Sequence, residues 1–273
     1  MMQYSSIGRS ILSASKIGIG INDSKEFDEK DLKILSEQKI NLVEFTPEIL
    51  EKNYFRNGFR EKLPYIFTCI SSYSKERNET LLNIINSYKI STPLNLVLLK
   101  VDEYNSDDMQ KLIELQSGGI ITNIGLVDPS IGILREYDFI DAIILNYSIL
   151  ERDAEEEGIL DFCYDHCINV IAKSQKLSQS YAGMERSNEY SIEEILLINE
   201  LKPISGKYGI SIPELSCLWA LKRPGITHLM NTFDDFRISN LNSDLTTIEL
   251  QFDDIRTINR TYNKYISMEM AFN

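Results

Sequence analysis

Short apolar runs rich in Ile, Val and Leu alternate along this chain with longer segments whose apolar residues recur at helical spacing. Brief branched runs bounded by turn formers read as strands buried on both faces. Such strands belong to parallel sheets whose connections are helices. The candidate strands are Lys16–Ile21, Asn41–Phe45, Tyr65–Cys69, Asn95–Lys100, Thr122–Leu126, Ala142–Leu145, Asn169–Ala172 and Thr227–Met230. The candidate helices are Glu29–Gln38, Glu76–Ser87, Ser106–Ser117, Pro129–Tyr137, Glu155–His166, Ile192–Tyr208 and Ile212–Leu221, with Phe252–Met270 as a C-terminal helix. Ser211 before Ile212-Pro213-Glu214 combines a capping hydroxyl with Pro in the first turn, and Asp128-Pro129 offers a similar start after the fifth strand.

Eight strands with intervening helices predict an α/β fold of the (β/α)8 barrel type, a TIM barrel. A doubly wound open sheet would carry a G-x-G-x-x-G phosphate loop after its first strand. Here that strand runs through Gly18-Ile19-Gly20-Ile21 into Asn22-Asp23-Ser24, without that spacing. The 273 residues contain no Pro/Gly/Ser-rich linker, so a single barrel domain spanning 1–273 is expected. Between Thr46 and Pro64 there is space for only a turn or two of helix. The aromatic and basic stretch from Lys52 to Arg60 reads there as a plug over the barrel or as a ligand-facing loop.

A formal charge of −13 disfavours polyanionic partners, so neither nucleic acid nor an acidic membrane leaflet is expected. No stretch reaches the roughly 20 apolar residues of a membrane span, and Met1 to Arg9 does not read as a leader. The four cysteines, Cys69, Cys163, Cys167 and Cys217, have no framework spacing. A reducing cytoplasm suits them. Cys163-Tyr164-Asp165-His166-Cys167 invites a metal reading, but the sequence holds only one further histidine, His228, and no second cysteine pair. Cys163 and Cys167 are expected to be core thiols one turn apart, and no metal site is expected.

Several motifs resemble the aldo-keto reductases, in the same order and at similar spacing. They are Ser6-Ile7-Gly8-Arg9-Ser10 through Gly20, Lys39 to Glu44, Gly118 to Gly125, Phe139 to Tyr147, Glu155 to Cys163, Val170-Ile171-Ala172, and Tyr208 to Leu221 with Pro224-Gly225-Ile226. The resemblance covers nearly the whole chain and implies a barrel of that type with an N-terminal β-hairpin and a C-terminal helix. It also implies carbonyl reduction by a nicotinamide cofactor, with an Asp, Tyr, Lys and His set at the strand ends. There the Tyr donates the proton and the Lys and Asp tune it.

Those positions hold other residues in this chain. Aligned through the motifs, the Asp position is Glu44, the Tyr position is Ile49 (Pro47 or Glu48 if the loop slips), the Lys position is Cys69 and the His position is Lys100. The Ser and Asn that hold the nicotinamide correspond to Val127 and Asp128, the Gln to Ile144, and the stacking ring to Lys173. Where a cation usually meets the adenosine 2′-phosphate, the chain reads Asn231-Thr232-Phe233-Asp234-Asp235. No cofactor-binding residue is therefore expected, and NADP(H) enters only if Tyr54 re-enters the site by an altered register.

In a barrel of this kind the working residues sit at the C-terminal strand ends. Glu44, Lys100 and Lys173 are the expected catalytic residues, and Cys69, Asp128, Asn146 and Asn231 the expected substrate contacts. Three readings follow. The barrel binds a small polar or anionic metabolite, a sugar derivative for example, and runs nicotinamide-independent chemistry in which a lysine forms a Schiff base. Alternatively it is a non-catalytic scaffold, a pseudoenzyme, or an oxidoreductase with a rearranged site. Its partner in the first reading is a small molecule, and the sequence leaves oligomeric state open.

Overall fold

The computed structural model describes residues 2–21, 29–47, 65–87, 93–101, 106–173, 191–232 and 245–272. Two short strands, β1 (Tyr4–Ser5) and β2 (Ala14–Ser15), pair antiparallel as a hairpin. Eight parallel strands follow: β3 (Ile17–Ile21), β4 (Leu42–Phe45), β5 (Phe67–Ser72), β6 (Leu94–Leu99), β7 (Ile121–Val127), β8 (Ala142–Asn146), β9 (Asn169–Lys173) and β10 (Ile226–Thr232). They pair in sequence order, and β10 closes on β3, giving the (β/α)8 barrel that the strand pattern predicts. The helices are α1 (Glu29–Glu37), α2 (Lys75–Ser87), α3 (Ser106–Ser117), α4 (Ile131–Glu136), α5 (Asp153–Glu156), α6 (Ile159–Asp165), α7 (Ile192–Tyr208), α8 (Ile212–Ala220) and α9 (Phe252–Phe272). None of them is long and apolar enough to cross a membrane.

Side chains alternate across each strand, so each strand feeds two cores. Leu42, Phe67, Cys69, Leu96, Leu98, Val127, Ala142, Ile144, Ile171 and Met230 fill the barrel. Their neighbours Val43, Ile70, Val97, Leu126, Ile143, Val170 and Leu229 pack outwards against the helices. Both α7 and α8 begin with complete capping boxes, Ser191 with Glu194 and Ser211 with Glu214, and Pro213 occupies the first turn of α8.

Three local expectations are corrected. The helix after the fifth strand is capped by the Ser130 side chain rather than by Asp128, whose φ of +40° lies outside any helical start. The expected helix Glu155–His166 is interrupted at Gly158, whose φ of +75° ends α5 and lets α6 start afresh. Because α6 stops at Asp165, Cys167 no longer lies on its face. It is exposed with φ +57°, while Cys163 is buried.

The hairpin seals the N-terminal end, and asparagines on the barrel strands satisfy its backbone. Asn41 accepts from Ser15 N at 2.7 Å and donates to Ser13 O at 2.9 Å. Asn123 accepts from Arg9 N at 2.7 Å, and Asn169 accepts from Gly8 N at 2.9 Å. Gly8 is required where it stands: its φ is +50°, and a Cβ would lie 2.4 Å from Asn123 Oδ1. His228, fully buried at this floor, holds Ser5 Oγ at 3.0 Å through Nε2. Burial, and then the charge of Lys16, push its imidazole down to about 3 against backbone hydrogen bonds to Ser5 and Ala14.

The folded chain therefore keeps His228 neutral. Below pH 6.5 the unfolded chain takes up a proton that the folded one refuses until about pH 3, so this group costs stability as the pH falls through that window and nothing above it. Urea unfolding between pH 7 and pH 4 should show His228→Gln losing stability less steeply than the parent, by about 1.4 kcal/mol per pH unit. Parallel pH profiles would show that His228 is solvated or charged in the fold.

Candidate active site at the barrel mouth

Inward-facing residues recur every second position, so the last inward residue of each strand defines the mouth. Glu44 follows Leu42 on β4, and Lys173 follows Ile171 on β9. On β5 the inward series is Phe67, Cys69 and Ser71, and it continues to Tyr73 just past the strand. The sequence reading ended this strand at Cys69. Register pairing carries it to Ser72, opposite Leu99, so Cys69 lies inside the barrel and Tyr73 takes the rim.

Glu44, Tyr73 and Lys173 meet there. The Lys173 ammonium donates to Glu44 Oε2 at 3.0 Å and also to the Tyr73 hydroxyl. The Tyr73 hydroxyl in turn donates to Glu44 Oε1 at 2.5 Å. The ammonium also lies 4.4 Å from the centre of the Tyr73 ring. The Glu44 and Lys173 side chains are 4% and 11% exposed, so this ion pair is shielded from screening. Tyr73 as a residue is 38% exposed, yet its hydroxyl turns inward. It can therefore face both the buried pair and a ligand arriving from solvent.

The electrostatics follow from these contacts. Burial alone would raise the Glu44 carboxyl. The charge of Lys173 and hydrogen bonds from Ser71, Tyr73 and Lys173 outweigh it and hold the group below the usual carboxylate range. Tyr73 moves the other way, driven well up by burial and by the adjacent Glu44 charge, so it stays a neutral hydrogen donor. The Cys69 thiol is raised well above its ordinary value by burial and by Glu44, which makes it a buried filler rather than a nucleophile.

The other expected residues are distributed differently. Lys100 pairs with Asp128, Nζ to Oδ2 at 3.5 Å and Nζ to the Asp128 carbonyl at 3.1 Å, both side chains partly exposed. Asn146 ends β8 directly beside Lys173 in register and is half-buried. Asn231 is turned away from the mouth. Met230 faces the barrel interior, so its neighbour faces outwards, where Asn231 Oδ1 accepts from the Cys217 thiol at 3.8 Å. Ile49 and Tyr54 lie outside the described residues, as do Asp234 and Asp235. No group of three metal-ligating side chains occurs among the described residues. The sequence reading missed Tyr73 and Ser71, although Phe67-Cys69-Ser71-Tyr73 carries the period of a longer strand.

The aldo/keto reductase family model matches residues 68–262, and the chain belongs to that family. It is 29% identical over 138 residues to the NADH-specific methylglyoxal reductase of Escherichia coli, a match spanning 44% of this chain and 42% of that protein. The chain thus spans less than half the length of this curated relative. The fold is similar to aldo-keto reductase AKR11C1 from Bacillus halodurans in its holo form, with a TM-score of 0.74 at 17% identity and 96% of each chain covered. It is also similar to the thermostable aldo-keto reductase Tm1743, with a TM-score of 0.67 at 16% identity, covering 95% of this chain and 100% of that one.

The family implies a nicotinamide cofactor, and two described positions that the resemblance assigns to it carry other groups. Ile144, where the resemblance implies an amide, is fully buried and apolar, and Lys173, where it implies a ring, is bound to Glu44 and Tyr73. Removing one member of the buried pair strands its partner. Lys173→Met should lose about 3–5 kcal/mol in urea unfolding, and Lys173→Met with Glu44→Gln should lose clearly less. Additive losses would mean that the two charges do not compensate one another.

Proposed function

We propose that this barrel binds a small polar metabolite carrying a carbonyl group, of the hydroxycarbonyl or sugar-derivative class, and moves a proton at the carbon beside that carbonyl. The observation that carries this reading is the Tyr73 hydroxyl held between Lys173 and Glu44 at the C-terminal mouth. Both described lysines at the rim already face carboxylates, Lys173 with Glu44 and Lys100 with Asp128, which favours a neutral ligand over an anionic one.

The chemistry runs as follows. An entering carbonyl oxygen takes hydrogen bonds from Tyr73 and Lys173, and the carbonyl carbon becomes electron-poor. Those two donors, together with Ser71, depress the Glu44 carboxyl, so their turning towards the ligand makes Glu44 a stronger base. Glu44 then removes the proton from the adjacent carbon, and the enolate oxygen is held by the ammonium and the phenol. Return of the proton to either face, or to the neighbouring carbon, gives epimerisation or isomerisation with no change in oxidation state. Lys173 acts as a cation here. Its nitrogen is engaged by the Glu44 carboxylate and the Tyr73 hydroxyl, which favours an ion-pairing role over the Schiff-base role.

A second reading is NADH-dependent carbonyl reduction with Tyr73 as proton donor. It draws support from the similarity to the NADH-specific methylglyoxal reductase. The sequence Asp234-Asp235 would repel a 2′-phosphate, which NADH lacks.

One experiment separates these readings. The protein is incubated in deuterium oxide with a panel of hydroxyaldehydes, hydroxyketones and methylglyoxal, with and without NADH, and analysed by proton NMR. The proposal expects deuterium beside the carbonyl without NADH, slowed about 100-fold or more by Tyr73→Phe and by Glu44→Gln. NADH consumption without such exchange would establish the second reading instead. Neither exchange nor consumption would leave the barrel a scaffold.

A further inference from the structure

The seat of the Glu44 carboxylate is made by a missing side chain. Gly20 lies on β3 directly opposite Glu44 on β4, and on its other side opposite Thr232 on β10. A Cβ built on Gly20 would stand 2.6 Å from Glu44 Oε2, closer than real Cβ contacts come, with Met230 Cγ at 3.7 Å and the Asn231 carbonyl at 3.8 Å behind it. Glu44 Oε2 is also the oxygen that receives Lys173 at 3.0 Å. The glycine on β3 therefore occupies a place where an added side chain would displace the oxygen that binds the ammonium. No positive φ requires glycine there, so backbone conformation does not explain it.

We propose that Gly20 is a positioning residue for the mouth, its bare Cα fixing where the Glu44 carboxylate rests and, through it, the partners of Lys173 and Tyr73. This rests on the reading of Glu44, Tyr73 and Lys173 as the working site. The clash falls on the far end of a flexible side chain, so Gly20→Ala can be accommodated by moving the carboxylate rather than by opening the barrel. Gly18 provides the contrast on the same strand. Its added Cβ would meet Leu42 Cγ at 2.6 Å, inside the apolar filling and away from Glu44.

The test is a carbon-13 NMR titration of glutamate side-chain carboxyls in the full chain, with the Glu44 signal identified by its loss in Glu44→Gln. In the parent, Glu44 should titrate below the ordinary glutamate value of 4.5, held there by Lys173, Ser71 and Tyr73. In Gly20→Ala the titration should rise by about one unit or more, the effect of losing a close opposite charge. In Gly18→Ala it should stay at the parent value despite a lower melting temperature.

An unmoved Glu44 titration in a folded Gly20→Ala protein would overturn the proposal, as would an equal shift in Gly18→Ala. Should Gly20→Ala fail to fold, Gly20→Ala with Glu44→Ala and Lys173→Met removes the atoms in conflict without stranding the ammonium. Recovery of folding supports the proposal, and continued unfolding overturns it. The readout needs no substrate, so it stands or falls separately from the proton-transfer reading.

Discussion

A carboxylate buried in a barrel is tolerable only if something compensates its charge, and in this chain the compensation comes from across the mouth. Glu44 and Lys173 are 129 residues apart in sequence, and only barrel closure brings the ends of β4 and β9 together. With Lys173 at 3.0 Å, Ser71 beside it and the Tyr73 hydroxyl at 2.5 Å, the carboxylate stays ionised in a place that would otherwise neutralise it. The position of Tyr73 follows from that pair, since its hydroxyl bonds to both members. Closure by β10 against β3 and the sealed floor under the hairpin are the parts of the fold that keep the pair in register.

A tyrosine, a lysine and a carboxylate thus meet at one opening of this member of the aldo/keto reductase family. The carboxylate remains on β4. The lysine comes from β9 and the tyrosine from the end of β5. The barrel lets three separate strands contribute, because each strand end points its last inward residue at the same space.

The barrel was legible in the sequence because its evidence is repeated: eight apolar runs, each buried on both faces, leave little room for another arrangement. Glu44 and Lys173 could be named as mouth residues from their place at strand ends. Their pairing could not, because contact across a closed sheet depends on register between strands that never pair directly. Tyr73 is hard to read from sequence because Ser71 and Ser72 break the apolar run, which places the strand end near Cys69. The β5–β6 pairing extends it to Ser72, in line with the two-residue period of Phe67, Cys69, Ser71 and Tyr73. Asn231 was misplaced by one residue of parity, and in a strand one residue changes the face. Gly20 was visible only as part of a strand motif, since its meaning lies in the 2.6 Å between its absent Cβ and Glu44.

The central claim is that the Tyr73 hydroxyl is held as a neutral donor against an ionised Glu44. The most direct measurement is the titration of the Tyr73 ring by carbon-13 NMR, its signal identified by loss in Tyr73→Phe. The hydroxyl should remain protonated well above the ordinary tyrosine value of 10.0, and should move back towards that value in Glu44→Gln, where the neighbouring charge is gone. A tyrosine that ionises at its ordinary value in the parent, or that ignores the loss of Glu44, would contradict the account.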